Sequence, residues 1–426
     1  MKIKKSHLQI VAMLVLEYAI WGSYLTSMGS FLVGLGLAGK IGIFYAMQGI
    51  VSIFMPALIG IVADKFIPAQ KTLAICQGVG GLSMLGAALY AATASTVAFG
   101  PLFTLYGISV GFFMPTIALT NSVSYSILEK GGEKPEEVYP GLRIWGTVGF
   151  ICAMLFVNFM KDSSGMQFQF THWSLVTSSV FSIILAVYAL FLPKCPCKAR
   201  GNSQGFLEAS GLKAFTLFKT KDMAIFFIFS MLLGVSLQIT NGFANPFISH
   251  FKDLDAYSGS WFAQNPNALI SLSQVSETIC ILLIPWAMKK FRIKGVMLIA
   301  MFAWVLRFGF FGLGNPGGGV WLLILSCIVY GVAFDFFNIS GSLYVNNKTT
   351  EDIRSSAQGL FMLMTNGIGA TVGTLSAQAI VDHFVNNAEN PSWSTAWYIF
   401  AAYALVVGIL FAILFKNPKD SSKAEV

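Results

Sequence analysis

Apolar residues in this chain come in long continuous stretches and do not alternate with polar ones. Twelve such stretches stand out, at about residues 8–34, 41–63, 72–93, 97–124, 143–160, 172–193, 222–249, 267–288, 295–314, 319–345, 354–382 and 393–416. A helix needs about 20 mostly apolar residues to cross the hydrocarbon core of a bilayer. Strands of a membrane barrel would alternate over segments of about 10 residues. The pattern therefore predicts an all-α polytopic membrane protein with twelve transmembrane helices. Stretches above the minimum length predict tilted helices, or helix ends that reach past the hydrocarbon. The first stretch is too long for the apolar region of a signal peptide and no small-residue cleavage site follows it, so it is expected to stay as the first span.

Composition agrees. Of 426 residues, 55% are hydrophobic and 11% charged, less than half the roughly 25% charge of soluble domains. A soluble enzyme is excluded. The net charge of +8 would invite nucleic acid in a soluble protein. Here it has a topological cause. With the N-terminus cytoplasmic and sides alternating, 23 of the 27 Lys and Arg fall on the cytoplasmic side or at the span ends beside it. The outer loops hold only Lys40, Lys161 and Lys252, and Arg307 lies inside a span. This asymmetry predicts that both termini are cytoplasmic. It implies the lipid bilayer as partner and no nucleic acid. Six cysteines are expected to be reduced: four lie in apolar spans, and Cys195 and Cys197 lack the further ligands a metal site would need. No metal or other cofactor is implied, and no phosphate-binding G-x-x-x-x-G-K-[ST] string suggests that ATP drives the protein.

The longest connection, 194–221, divides the chain into an N-terminal six-helix bundle (1–193) and a C-terminal one with a short tail (222–426). The halves echo each other. Tyr106-Gly107 followed by Phe112-Phe113 matches Tyr330-Gly331 followed by Phe336-Phe337, and Arg143 with Phe150 matches Arg354 with Phe361. Six spans, a linker and six similar spans predict a tandem parallel repeat. One chain holds both halves, so a monomer is expected to suffice.

Ionisable groups at membrane depth are costly and usually face a cavity or a partner. Those here are Glu17, Glu277, Arg307 and Asp335, with Arg143 at the start of span five. Helical spacing sorts their polar neighbours. Gln238 and Asn241 share a face of span seven, Gln274 and Glu277 a face of span eight, Asp335 and Asn338 a face of span ten, and Arg143, Thr147 and Phe150 a stripe on span five. Stripes from four helices predict one cavity that offers hydrogen bonds beside aromatic faces. Asp335 and Glu277 are candidate proton carriers, with a fixed Asp335–Arg307 ion pair as the competing reading for Asp335. Glu17 stays open between a coupling proton site, a hydroxyl acceptor and a partner of Arg143 or Arg307.

After span two, Gly60, Asp64 and Lys65 resemble the start of the G-x-x-x-D-(R/K) loop of the major facilitator superfamily. A more specific resemblance covers residues 8 to 416. IWGSYL (20–25), RIWGTVGF (143–150), MAIFFIFSMLLG with LQITN (223–241) and YGVAFDFFNISGS (330–342) resemble the bacterial nucleoside:proton symporters of that superfamily, the nucleoside and xanthosine permease type. PTIALTNSVSYS (115–126) and SAQGLFMLMTNG (356–367) add to it. The resemblance implies a bacterial inner-membrane transporter that takes up nucleosides with H+ by alternating access. It implies a substrate site built from Arg143, Thr147, Phe150, Gln238, Asn241, Gln274, Glu277, Phe334 and Asp335, and a conformational loop at Gly60, Asp64 and Lys65. A symporter of another small polar solute such as a sugar, coupling to Na+, and a transporter-like nutrient sensor are the alternatives. An intramembrane enzyme would need a nucleophile–base pair or a metal cluster at membrane depth, and the sequence has neither.

Overall fold

In the computed structural model, the described residues are 4–195 and 212–415. Eleven helical stretches among them are long and apolar enough to cross a membrane: Lys5–Gly34, Ala38–Ala63, Ala69–Thr93, Phe99–Lys130, Glu137–Phe159, Trp173–Leu190, Lys221–Asp253, Pro266–Leu313, Val320–Lys348, Ser356–Asn386 and Trp393–Leu414. The eighth joins two expected spans. Its 48 residues would extend about 72 Å if straight, more than twice the hydrocarbon thickness. It instead breaks at Arg292, whose φ of 58° and ψ of 174° are non-helical. Counted as two crossings, spans eight and nine, it restores the expected twelve. The sequence predicts a loop at 289–294, but nothing in KKFRIK (289–294) stops a helix before Gly295. The turn is forced onto one residue, at a backbone cost of about 1–3 kcal/mol.

Other boundaries shift for similar reasons. Span four continues to Lys130, and the next helix, Pro135–Phe159, starts eight residues before Arg143, with Pro135 in its first turn. The expected linker also contains structure. Leu212–Lys219 forms a 3-10 helix, and Phe218 stacks on Phe227 of span seven at 5.5 Å. Residues 196–211, with Cys197, lie outside the described residues, as do the side chains of Asp64 and Lys65. The other five cysteines are free thiols.

Span one packs on spans five and six, span three on four and six, and span seven on eleven. Glycine sets the closest of these approaches, and the halves repeat it. A Cβ on Gly149 of span five would lie 2.3 Å from the carbonyl oxygen of Val15 in span one. A Cβ on Gly373 of span eleven would lie 2.1 Å from that of Val235 in span seven. Spans one and seven are also both interrupted, at Leu25–Ser27 and at Gln238. The Tyr45 hydroxyl bonds the Leu25 carbonyl at the first break. A π-helical segment, Leu363–Gly369, interrupts span eleven. Irregular turns of this kind inside membrane helices often mark functional positions.

The halves meet through an uncharged latch at the end away from the termini. Asn245 accepts from Ser30 at 2.6 Å and donates to Gln169 at 3.2 Å and Asn267 at 2.7 Å. Asn267 donates to Ser27 at 2.8 Å, and Asn158 donates to Asn265 at 2.9 Å. Gln378 accepts from the Gly42 amide at 2.6 Å. Amides buried in this way are costly unless bonded, so the latch favours closure at this end. Asn245→Ala removes three bonds worth about 1 kcal/mol each. The expected result is a shift toward the state open at this end. It would be read as faster reaction of a Ser249→Cys side chain with a membrane-impermeant thiol reagent. Unchanged labelling would show that these bonds do not hold the end shut.

Candidate functional site

Arg143 stands on span five with its guanidinium carbon 3.9 Å from the centre of the Tyr18 ring. Gly146 makes room for this: a Cβ there would lie 2.7 Å from the ring and 2.9 Å from the guanidinium. The stacking desolvates and orients the cation while leaving it half-buried. Arg143 therefore offers a fixed positive charge from the N-terminal half.

The C-terminal half supplies two carboxylates. Gly331 of span ten lies against the backbone of span eight, where a Cβ would meet the Ser276 carbonyl oxygen at 2.5 Å and the Glu277 nitrogen at 2.7 Å. Asp335 follows one helical turn later. This contact sets Glu277 beside Asp335, and the two act on each other electrostatically. The charge of Arg143 acts on both. Asp335 is buried and its Oδ2 has no hydrogen-bond partner. Glu277 is half-buried, and no hydrogen bond to its carboxylate is found among the described residues. Two unligated like charges held together repel, and a proton on either relieves the repulsion.

Aromatic faces flank the charges. Phe334 stacks on Tyr330 at 5.6 Å and 17°. Phe150 meets Trp21 edge-on at 6.4 Å, and the buried Trp21 Nε1 has no partner. Asn241 donates to Gln238 Oε1 at 2.9 Å, so the expected pair on span seven forms, at the break in that span. Thr147 and Gln274 are half-buried, one turn from Arg143 and three residues from Glu277. No hydrogen bond among the described residues engages their side chains.

Two alternatives left open by the sequence are not what the geometry shows. Asp335 and Arg307 form no ion pair. Arg307 donates to the Ser326 carbonyl at 2.8 Å and lies over the Tyr330 ring at 4.3 Å, which occupies the guanidinium within its own half. Glu17 pairs with neither arginine. It is fully buried, accepts from Gln77 Nε2 at 2.8 Å, and lies 2.6 Å from the Thr116 hydroxyl. Gly60 of the expected conformational loop faces open space, and a Cβ there would meet nothing within 4 Å.

Sequence reasoning missed Tyr18, Tyr330, Gln77 and Thr116. Tyr330 reads only as a marker of the repeat, and Tyr18 as part of an apolar run. Gln77 is a lone amide on span three and has no polar neighbour at helical spacing to draw attention to it.

Membrane-spanning helices in two like halves, with a cation of one half acting on two carboxylates of the other, define a transporter of the major facilitator type. The xylose transporter XylE of E. coli has the same fold, with a TM-score of 0.67 at 14% identity over 97% of both chains. The chain belongs to the nucleoside H+ symporter family, whose model matches residues 1–420. It is 43% identical to the xanthosine permease of Escherichia coli (strain K12) over 98% of this chain and 97% of the relative. It is 42% identical to the nucleoside permease NupG of the same organism over 96% of each. The crystal structure of nucleoside transporter NupG superposes with a TM-score of 0.88, at 41% identity, over 97% of this chain and 100% of that one.

Proposed function

We propose that this protein is a secondary transporter, not an enzyme, that imports nucleosides with protons across a bacterial inner membrane. Both termini are cytoplasmic, so the latch closes the outer end and the site opens inward. Residues 1–193 and 222–426 act as two bundles that rock about the site, joined by 194–221, and one chain is the working unit. The observation that carries this reading is that the charge of Arg143 in one bundle acts on both Glu277 and Asp335 of the other.

The charge count explains the coupling. One cation against two ionised carboxylates leaves a net negative charge at membrane depth. One proton on the pair cancels it, so the loaded cavity closes without net charge. The nucleoside completes the site. Gln238, Asn241 and Gln274 with Thr147 meet ribose hydroxyls and base edges, and Phe150 and Phe334 meet the base plane. Inward release separates substrate from the carboxylates and frees the proton. Gly60, Asp64 and Lys65 lie in the last turns of the span-two helix, Ile41–Lys65, and lead into the connection that supports rocking at its cytoplasmic end.

Gln274→Ala tests the site. It removes an amide that has no structural bond to lose, so folding should be intact. Nucleoside affinity should fall by about fivefold or more, the value of one hydrogen bond of about 1 kcal/mol. Calorimetry on purified protein measures it. An unchanged Kd would remove Gln274 from the site.

A further inference from the structure

The hydrogen bonds around Glu17 do not close if its carboxylate is ionised. Thr116 Oγ1 has three polar neighbours: Glu17 Oε1 at 2.6 Å, the Phe113 carbonyl oxygen at 2.6 Å and Gln77 Nε2 at 3.0 Å. A hydroxyl has one proton to donate. It cannot serve both oxygens, and 2.6 Å is a hydrogen-bond distance that two facing lone pairs do not hold. Gln77 does not help, because its two N–H groups go to Thr116 and to Glu17 Oε2. Its carbonyl is also used, accepting from Ser182 of span six at 2.6 Å. The count closes in one way. Oε1 of Glu17 carries a proton and donates it to Thr116, Thr116 donates to Phe113, and Gln77 donates to Thr116 and to Oε2.

We propose that Glu17 is a resident proton site of the N-terminal bundle, held as a neutral acid through the transport cycle, and that it positions spans one, three, four and six behind Tyr18 and Arg143. Ionisable groups near it are Tyr18 and Tyr24 on span one, Cys76 on span three, and Tyr139 and Arg143 on the helix of span five. Arg143 is the one cation among them, and its guanidinium is committed to the Tyr18 ring without an ion pair to Glu17. Glu17 and its partners all lie within one bundle, so rocking of the bundles does not separate them. Glu17 is fully buried, which leaves no solvent contact for exchange in this conformation. Proton cycling then falls to Asp335 and Glu277 alone.

A neutral acid that donates once and accepts once is matched by an amide. In Glu17→Gln the new N–H donates to Thr116 and the new carbonyl accepts from Gln77. The test is infrared difference spectroscopy on purified, solute-free protein, in an Asp335→Asn, Glu277→Gln background that removes the other mid-membrane acids. The proposal expects a protonated carboxylic-acid carbonyl band that Glu17→Gln abolishes and that does not titrate over the range where the protein stays folded. Glu17→Gln on the wild-type background should fold and keep gradient-driven accumulation. Absence of the band, titration of the band, or failure of Glu17→Gln to fold would overturn the proposal. So would loss of uphill accumulation with downhill exchange retained. The spectrum is recorded without solute, so its outcome is separate from the nucleoside assignment.

Discussion

Asp335→Asn is expected to abolish accumulation of nucleoside against its gradient while exchange down a gradient persists. The amide keeps the volume of Asp335 and a hydrogen-bonding end but cannot gain or lose a proton. Asp335 has an unpartnered oxygen, a neighbouring carboxylate in Glu277 and an opposing cation in Arg143. No ion pair to Arg307 locks it, because that guanidinium is bound to Ser326 and Tyr330. With Asn at 335, Glu277 and Arg143 balance permanently. The cavity then reorients with or without a proton, and the proton gradient no longer does work on the solute. Proteoliposome uptake measured with and without an imposed pH gradient, alongside counterflow, separates the two activities. Full gradient-driven accumulation by Asp335→Asn would place the coupling proton elsewhere.

Gly373→Val is expected to prevent folding or to cost about 3 kcal/mol or more, at the upper end for overpacked cores. The obstacle is backbone and not a flexible side chain: the new Cβ would lie 2.1 Å from the Val235 carbonyl oxygen and 2.6 Å from its Cα. Span eleven would have to leave span seven, next to the break at Gln238 that places the Gln238–Asn241 pair. Gly309→Ala is the matched control, a mid-helix glycine with nothing within 4 Å of the added carbon. Thermal unfolding followed by size-exclusion chromatography should show a lower melting temperature or no folded protein for the first, and no loss for the second. A normal melting temperature for Gly373→Val would contradict the close packing of these two spans.

Much of this architecture was legible in the sequence because a bilayer allows few solutions. Each crossing needs its own apolar run, and the runs match the eleven long apolar stretches once expected spans eight and nine are read as the one helical stretch broken at Arg292. The repeat was visible in Tyr106-Gly107 and Tyr330-Gly331, and the structure adds equivalent glycine contacts at Gly149 and Gly373. Helical spacing found the Gln238–Asn241 bond, since both partners lie on one helix. Partners contributed by different helices were out of its reach. Asp335 was weighed against Arg307 because both are charged and in the membrane, yet Arg307 is held by a carbonyl and two rings, which carry no charge pattern. The ligands of Glu17 come from spans three and four, 60 and 99 residues away. The latch at the far end is built from Asn and Gln near span ends, where such residues usually read as solvated.

The central claim is that a proton gradient drives nucleoside uptake through this chain alone. Labelled uridine uptake into proteoliposomes that contain only this protein tests it most directly. With an inward proton gradient, uridine should accumulate above equilibrium, and a protonophore should return it to equilibrium. Uptake that stops at equilibrium whether or not the gradient is present would contradict proton coupling, and no uptake of any nucleoside under either condition would contradict the assignment as a nucleoside transporter.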